Sequence, residues 1–185
     1  MNRKKKFSEV VVITQQKIEM RSIVYPDQVA IEEIFDELVL PFPDKITRIC
    51  TVTSDSLHER RNKIAKIVKD KKIRIPHYEF KTENIAEYPI DIQLEKGTFY
   101  LCVTDQIAIN LYSSAKKQGL VIGEDIFICG FGDYSISKLV TPALTSVNFP
   151  YYESGVRAVN TLLTENAESK SSYMDYTLKK RDSTL

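Results

Sequence analysis

The alternation of apolar and polar positions is most informative between Gly97 and Pro150. Thr98 to Val103 is an unbroken apolar and aromatic run with β-branched members, too short for a buried helix and closed by the polar pair Thr104 and Asp105, so it predicts a buried strand. From Asp105 the apolar residues Ile107, Ala108, Leu111, Tyr112 and Ala115 recur every three or four positions, and Lys116 and Lys117 follow before Gly119. That spacing predicts an amphipathic helix with Asp105 at its N-cap and Gly119 as its C-terminal stop. A second apolar run, Ile126 to Gly130, follows the turn Gly123-Glu124-Asp125. Strand, helix and strand within about thirty residues form a right-handed βαβ unit of a parallel sheet. Ligands of such sheets sit at the carboxyl ends of the strands, which here are Thr104-Asp105 and Gly132-Asp133.

The flanking pattern extends the same architecture. Glu9 to Thr14 reads as a parallel strand and Ser22 to Tyr25 as a shorter extended piece. Pro26 opens a helix whose apolar face is Val29, Ala30, Ile34, Phe35 and Leu38, ended by Pro41 and Pro43. Ile46 to Val52 is the next strand, and Ser54, Asp55 or Ser56 caps a helix that runs to near Lys72 with Ile64, Ile67 and Val68 inward. Arg60 and Arg61 lie in its first turns, where a cation gains nothing from the helix dipole. His77 to Phe80 is strand-like, and a short helix is expected around Ile85 to Tyr88, before Pro89 interrupts. Thr145 to Phe149 is a further strand. Pro150 precedes a helix with the face Val156, Val159, Leu162 and Leu163, and Tyr173 to Lys179 alternates as one half-exposed edge strand.

Composition narrows the function classes. With 185 residues the chain can bury a substantial core, and 26 basic against 25 acidic side chains point to neither nucleic acid nor membrane. The basic cluster Arg3 to Lys6 reads as a solvated end. Cys50, Cys102 and Cys129 each fall in an apolar run without metal-ligand spacing, as expected for buried thiols in a reducing cytosol. No apolar stretch reaches the about 18 residues of a membrane span, so a soluble, cytoplasmic protein is expected.

The templates for catalysis each lack a part. The sequence has no GxGxxG after its first strand, no GxxxxGK[ST], no HExxH and no GxSxG. His58 and His77 stand alone, so neither a triad, a metal site nor a cofactor is expected, and the chain reads as a non-enzyme. What remains is a sheet end lined by Thr104, Asp105, Gly132 and Asp133, to which the helix start at Ser56 to Arg61 contributes a guanidinium. Such a set suits a hydroxyl-rich ligand. The same residues equally admit a structural reading, with Asp105 a cap and Asp133 a turn residue.

The run from Phe99 to Leu163 resembles the effector-binding core of the LacI/GalR family of bacterial transcriptional regulators. The resemblance is carried by Thr104-Asp105, Ile107-Ala108, Gly123-Glu124-Asp125, Gly130-Phe131-Gly132-Asp133, Thr141-Pro142-Ala143-Leu144-Thr145 and the step Gly155 to Ala158. Upstream, Ile46 to Val52, Ser54 and Glu59-Arg60-Arg61 are similar to the family's strand, serine and arginine-bearing helix. Downstream, Lys180-Arg181-Asp182-Ser183-Thr184 is similar to its closing segment.

The resemblance implies an α/β, doubly wound parallel sheet of periplasmic-binding-protein-like form, with one complete lobe plus part of a second. It divides the chain into a basic start at 1–8, the last strand and crossover of the partial amino-terminal lobe at 9–21, an effector-binding lobe at 22–145, and a returning strand, helix and edge strand at 146–185. It also implies a small carbohydrate or sugar-phosphate effector bound between lobes, contacted by Arg61, Thr104, Asp105, Asp133, Tyr25 and Phe149, with Thr14 facing it from the amino lobe. The chain departs from the family pattern at Ile64 for a glycine, Thr104 for an asparagine, Gly132 for the first turn aspartate and Phe149 for a polar residue. The implied partners are a second copy or a full-length regulator, with no direct DNA contact by this chain. A ligand-blind module that associates with full-length regulators is the alternative.

Overall fold

A computed structural model describes residues 11–15, 17–18, 21–54, 58–83, 90–163 and 171–184. The chain separates into two compact units, one formed by Met1–Pro26 with Phe149–Tyr176, the other by Asp27–Asn148 with Thr177–Leu185.

The larger unit is organised around a six-stranded sheet. Its strands are β3 (Arg48–Ser54), β4 (His77–Thr82), β5 (Thr98–Cys102), β6 (Ile126–Phe131), β7 (Thr145–Asn148) and β9 (Thr177–Lys179), in the spatial order β4-β3-β5-β6-β7-β9. All neighbours are parallel except β7 and β9. β5 and β6 are buried at every position, as parallel strands covered on both faces require. Between them α3 (Asp105–Lys117) completes the expected βαβ unit, turning Ile107, Ala108, Leu111 and Ala115 inward. Phe99, Tyr100, Phe127 and Phe131 are among the largest fully buried side chains, and each such burial stabilises by about 1.5–3 kcal/mol.

The ends of α3 follow from local chemistry. Thr104, not Asp105, is the N-cap: its backbone is extended and its Oγ1 accepts from the Ile107 N–H at 3.3 Å. The Asp105 carboxylate is instead drawn into the lobe. At the other end Gly119 has φ +68, Leu120 N–H donates to the Ala115 carbonyl at 3.0 Å and Gly119 N–H to the Lys116 carbonyl at 3.3 Å. This is a Schellman stop, which uses glycine because the left-handed backbone crowds a Cβ.

Helix α1 (Asp27–Ile34) runs on as a π-turn over Phe35–Val39. Its buried face is Ala30, Ile31, Ile34, Phe35, Leu38 and Val39, whereas Val29, expected inward, is exposed. Val29 precedes Ile34 by five residues, about 140° around an α-helix from the inward stripe. Helix α2 (His58–Asp70) buries Arg60, Ile64 and Ile67. Its capping positions 55–57, and the helix expected around Ile85 to Tyr88, lie outside the described residues.

The smaller unit contains a parallel three-stranded sheet, β1 (Val12–Thr14), β2 (Ser22–Val24) and β8 (Ser171–Tyr173), in the order β1-β2-β8. Its helix α4 (Tyr151–Leu163) departs from expectation, because Val156, Val159, Leu162 and Leu163 are exposed, Val159 by 54% and Leu163 by 76%. Small residues are the ones covered: Ser154 is buried, and Gly155, Ala158 and Thr161 are half-buried. The single edge strand read over Tyr173 to Lys179 is in fact two, β8 closing the small sheet and β9 pairing antiparallel with β7. One alternating stretch thus serves two sheets, with Met174 and Leu178 both buried.

Candidate functional site

The order of strands fixes where a ligand site belongs. The connection from β3 leads to β4 on one side, while β5, on the other side of β3, leads on to β6. The loops leaving the carboxyl ends of β3 and β5 therefore diverge, and this topological switch point is where open parallel sheets take ligands. Ser54 closes β3, and Val103 and Thr104 follow β5.

Arg60 occupies this point. It lies on the inward stripe of α2, four residues before Ile64 and seven before Ile67, so the helix register carries its guanidinium into the lobe. Nε donates to Asp27 Oδ2 at 3.2 Å and Nη2 to Asp27 Oδ1 at 3.0 Å, while Nη1 donates to the Val103 carbonyl at 2.5 Å. The guanidinium stacks over the Phe131 ring at 4.2 Å. Asp27, at the start of α1, is wholly buried and lies 3.7 Å from Lys63 Nζ. A fork-to-fork pair of this kind fixes the orientation of the arginine as well as its charge. The sequence candidate Arg61 sits on the half-exposed outer side of the same helix, donating to Asn62 Oδ1 at 3.0 Å and lying 4.0 Å from Glu79, opposite the middle of β3. Arg60 falls within the helix start Ser56 to Arg61 from which the sequence offers a guanidinium, whereas Asp27 carries no signal in the sequence. The signal that marks Arg60 is its place in the buried stripe.

Asp105 and Asp133 come together next to the switch point. The buried Asp105 carboxylate accepts from Ser146 Oγ at 2.6 Å on one oxygen, and from Ser137 Oγ at 2.7 Å and the Tyr134 N–H at 3.0 Å on the other. A Cβ at Gly130 would stand 2.2 Å from Asp105 Oδ1, so the β6 glycine is what lets the carboxylate approach. Burial raises the Asp105 carboxyl above its ordinary value, against the lowering effect of its three hydrogen bonds and with a smaller contribution from the Asp133 charge. Asp133 has φ +47. Its N–H donates to the same Ser146 Oγ at 3.0 Å, and its carboxylate accepts from Arg181 Nη2 at 2.5 Å and Asn148 Nδ2 at 3.2 Å. Gly132 before it has φ +133, and a Cβ there would meet the Tyr134 ring at 2.9 Å. Thr104 is half-buried; its oxygen accepts the helix-capping bond, which leaves the hydroxyl proton to donate.

Tyr25 and Phe149 belong to the smaller unit and pack on one another with ring centroids 5.0 Å apart. Tyr151 joins them edge-on at 5.5 Å from Tyr25, whose hydroxyl bonds Ser154 Oγ at 2.7 Å. Thr14, on β1, accepts the Tyr25 N–H on its carbonyl at 2.9 Å. The three cysteines are buried and unbridged, and burial pushes the Cys50 thiol up to about 12. Among the described residues no group of three or more histidine, cysteine, aspartate or glutamate side chains could hold a metal ion, and no helix is long and apolar enough to cross a membrane.

Comparison with known proteins agrees with this fold. Residues 44–184 match the family described as periplasmic binding protein-like domain. The ribose operon repressor of Haemophilus influenzae is 28% identical over 103 residues, 56% of this chain and 31% of the repressor. The transcriptional repressor CytR of Escherichia coli is 36% identical over 91 residues, 47% of this chain and 27% of CytR. Both relatives are named as repressors, and the chain spans less than a third of the length of either. Among solved structures, a periplasmic binding protein/LacI transcriptional regulator from Alkaliphilus metalliredigens, complexed with D-xylulofuranose, superposes with a TM-score of 0.76 at 18% identity, covering 96% of this chain and 71% of that one. On these grounds the chain belongs to the periplasmic binding protein-like family.

Proposed function

We propose that this chain is the ligand-sensing region of a LacI-type transcriptional regulator and that it takes a small sugar-like effector at the carboxyl end of its six-stranded sheet. Differential affinity for two conformations would then bias DNA binding, within a longer protein or through association with a full-length regulator. The observation that carries the reading is the topological switch point between β3 and β5, where the half-buried Thr104 hydroxyl keeps its proton to donate and the Arg60–Asp27 pair fixes the Val103 carbonyl before it. A hydroxyl with its proton left to donate is the chemistry that binds sugar hydroxyls and phosphates without reacting with them. The relatives point the same way, since one represses a ribose operon and one solved neighbour holds a pentulose.

The test is thermal unfolding, followed by calorimetry because the chain has no tryptophan, with mono- and disaccharides and their phosphates. A ligand that binds only the folded state adds about 2.7 kcal/mol at a hundredfold excess over its Kd. We expect at least one sugar to raise the midpoint, Thr104→Val to weaken that rise and Thr104→Ser to retain it. Silence across the whole panel would overturn the reading. It would favour the second one, an interaction module, for which the exposed Tyr152, Val159 and Leu163 of α4 speak.

A further inference from the structure

We propose that Arg181 is a positioning residue of the sheet end: it holds the loop after β6 through Asp133, and so makes the closing segment Lys180 to Thr184 part of the ligand-binding floor. This rests on the sheet end being the binding site proposed above.

Asp133 is the reason a holding group is needed. It is not a glycine, yet its φ is +47, a left-handed backbone that aspartate visits more often than most L-residues but at a cost its surroundings must offset. Its carboxylate is almost fully buried, with 2% of the side chain exposed, and its backbone N–H donates to the Ser146 hydroxyl, which in turn donates to a second buried carboxylate, Asp105. A buried carboxylate beside a second one is stabilised by a nearby cation. Lys138 Nζ is 3.9 Å away, whereas Arg181 donates directly, Nη2 to Asp133 Oδ1 at 2.5 Å and Nη1 to the Leu144 carbonyl at 2.5 Å. One planar fork thus spans the loop after β6 and the residue before β7, a bridge that the point charge of lysine does not reproduce.

The segment bearing Arg181 is sewn in without its side chain. Arg181 N–H donates to Thr145 Oγ1 at 2.9 Å and Ser183 N–H to the Ala143 carbonyl at 3.0 Å. Ser183 Oγ donates to the Ile128 carbonyl at 2.6 Å and accepts from Thr145 N–H at 2.8 Å. Removing the guanidinium therefore leaves the segment anchored and isolates its effect on the loop.

The experiment is amide hydrogen exchange on the whole chain with Arg181→Lys and Arg181→Gln, together with titration of D-ribose and D-xylulose. We expect the Asp133 and Tyr134 amides to exchange faster by about tenfold in both variants, with those of Ile128, Thr145 and Ser183 unchanged. Affinity for whichever sugar binds the wild type should fall by about tenfold. If the arginine variants do not fold, Asp133→Asn should free the same two amides. Unchanged exchange at Asp133, uniform acceleration throughout the sheet, or local loosening with unaltered sugar affinity would each overturn the proposal. If the wild type binds neither sugar, the exchange pattern still decides whether Arg181 holds the loop, while the calorimetric panel decides the sensing role.

Discussion

Two adjacent arginines differ in everything but their names. Arg60 is buried against a wholly buried Asp27, and Arg61 keeps 30% of its side chain exposed near Glu79. Removing one member of a buried pair strands the other, so Arg60→Ala should cost about 3–5 kcal/mol in urea unfolding. Arg61→Ala should change stability by about 0.5 kcal/mol or less. Equal losses would contradict the assignment of the switch-point cation. The contrast was legible in principle, since Arg60 falls on the stripe of Ile64 and Ile67, but a charged residue in that stripe is easily passed over in favour of its neighbour. Asp27 was not legible at all, because its partner lies on another helix.

Asp105 gives a second residue-scale test. Its three donors require both carboxylate oxygens, and an amide nitrogen in place of Oδ2 would face the Tyr134 N–H, donor to donor. Asp105→Asn should therefore cost about 1–3 kcal/mol. The raised carboxyl value means that the folded state keeps its proton at a pH where the unfolded state has already released it. The folded state thus binds more protons in the window from the unfolded value up to the folded one, and stability falls as pH rises through that window. Above the window the cost is constant, and acidification from neutral pH relieves it. Asp105→Asn should lack this slope in a pH series of urea midpoints. An identical slope in the variant would assign the pH dependence to other groups.

At the scale of elements, the periodicity of α3 and the runs of β5 and β6 were readable because each is local and strong. What escaped the pattern was partnership. Thr104 outcompetes Asp105 as the cap because Ser137, Ser146 and the Tyr134 N–H engage the aspartate, and none of them is near it in sequence. The alternation of Tyr173 to Lys179 was real, yet β8 and β9 serve different sheets. In α4 an apolar stripe was visible, and the helix nonetheless covers its small residues and leaves Val159 and Leu163 outside. The pair Val159→Lys and Leu163→Lys should shift the unfolding free energy by about 1 kcal/mol or less. A loss of about 2–5 kcal/mol for either, the signature of a core truncation, would show that this face is covered in solution.

For the molecule as a whole, the doubly wound parallel architecture follows from a succession of strands and helices that the sequence displays. The position of its site does not. The switch point exists because β5 lies across β3 from β4, a choice made by long-range packing that no local pattern records. The candidate loops Thr104-Asp105 and Gly132-Asp133 were found from their place after strands. The departure Gly132 has its own physical setting, with the Tyr134 ring lying where a side chain at 132 would project.

The most direct test is an amide chemical-shift map of the labelled chain titrated with D-ribose and D-xylulose. If the sheet end is the sensing site, saturable shifts will gather at Ser54, Thr104, Gly132, Asp133 and Asn148, around the switch point and the loop beside it. Saturable shifts confined to the exposed face of α4, or none with either sugar, would contradict it.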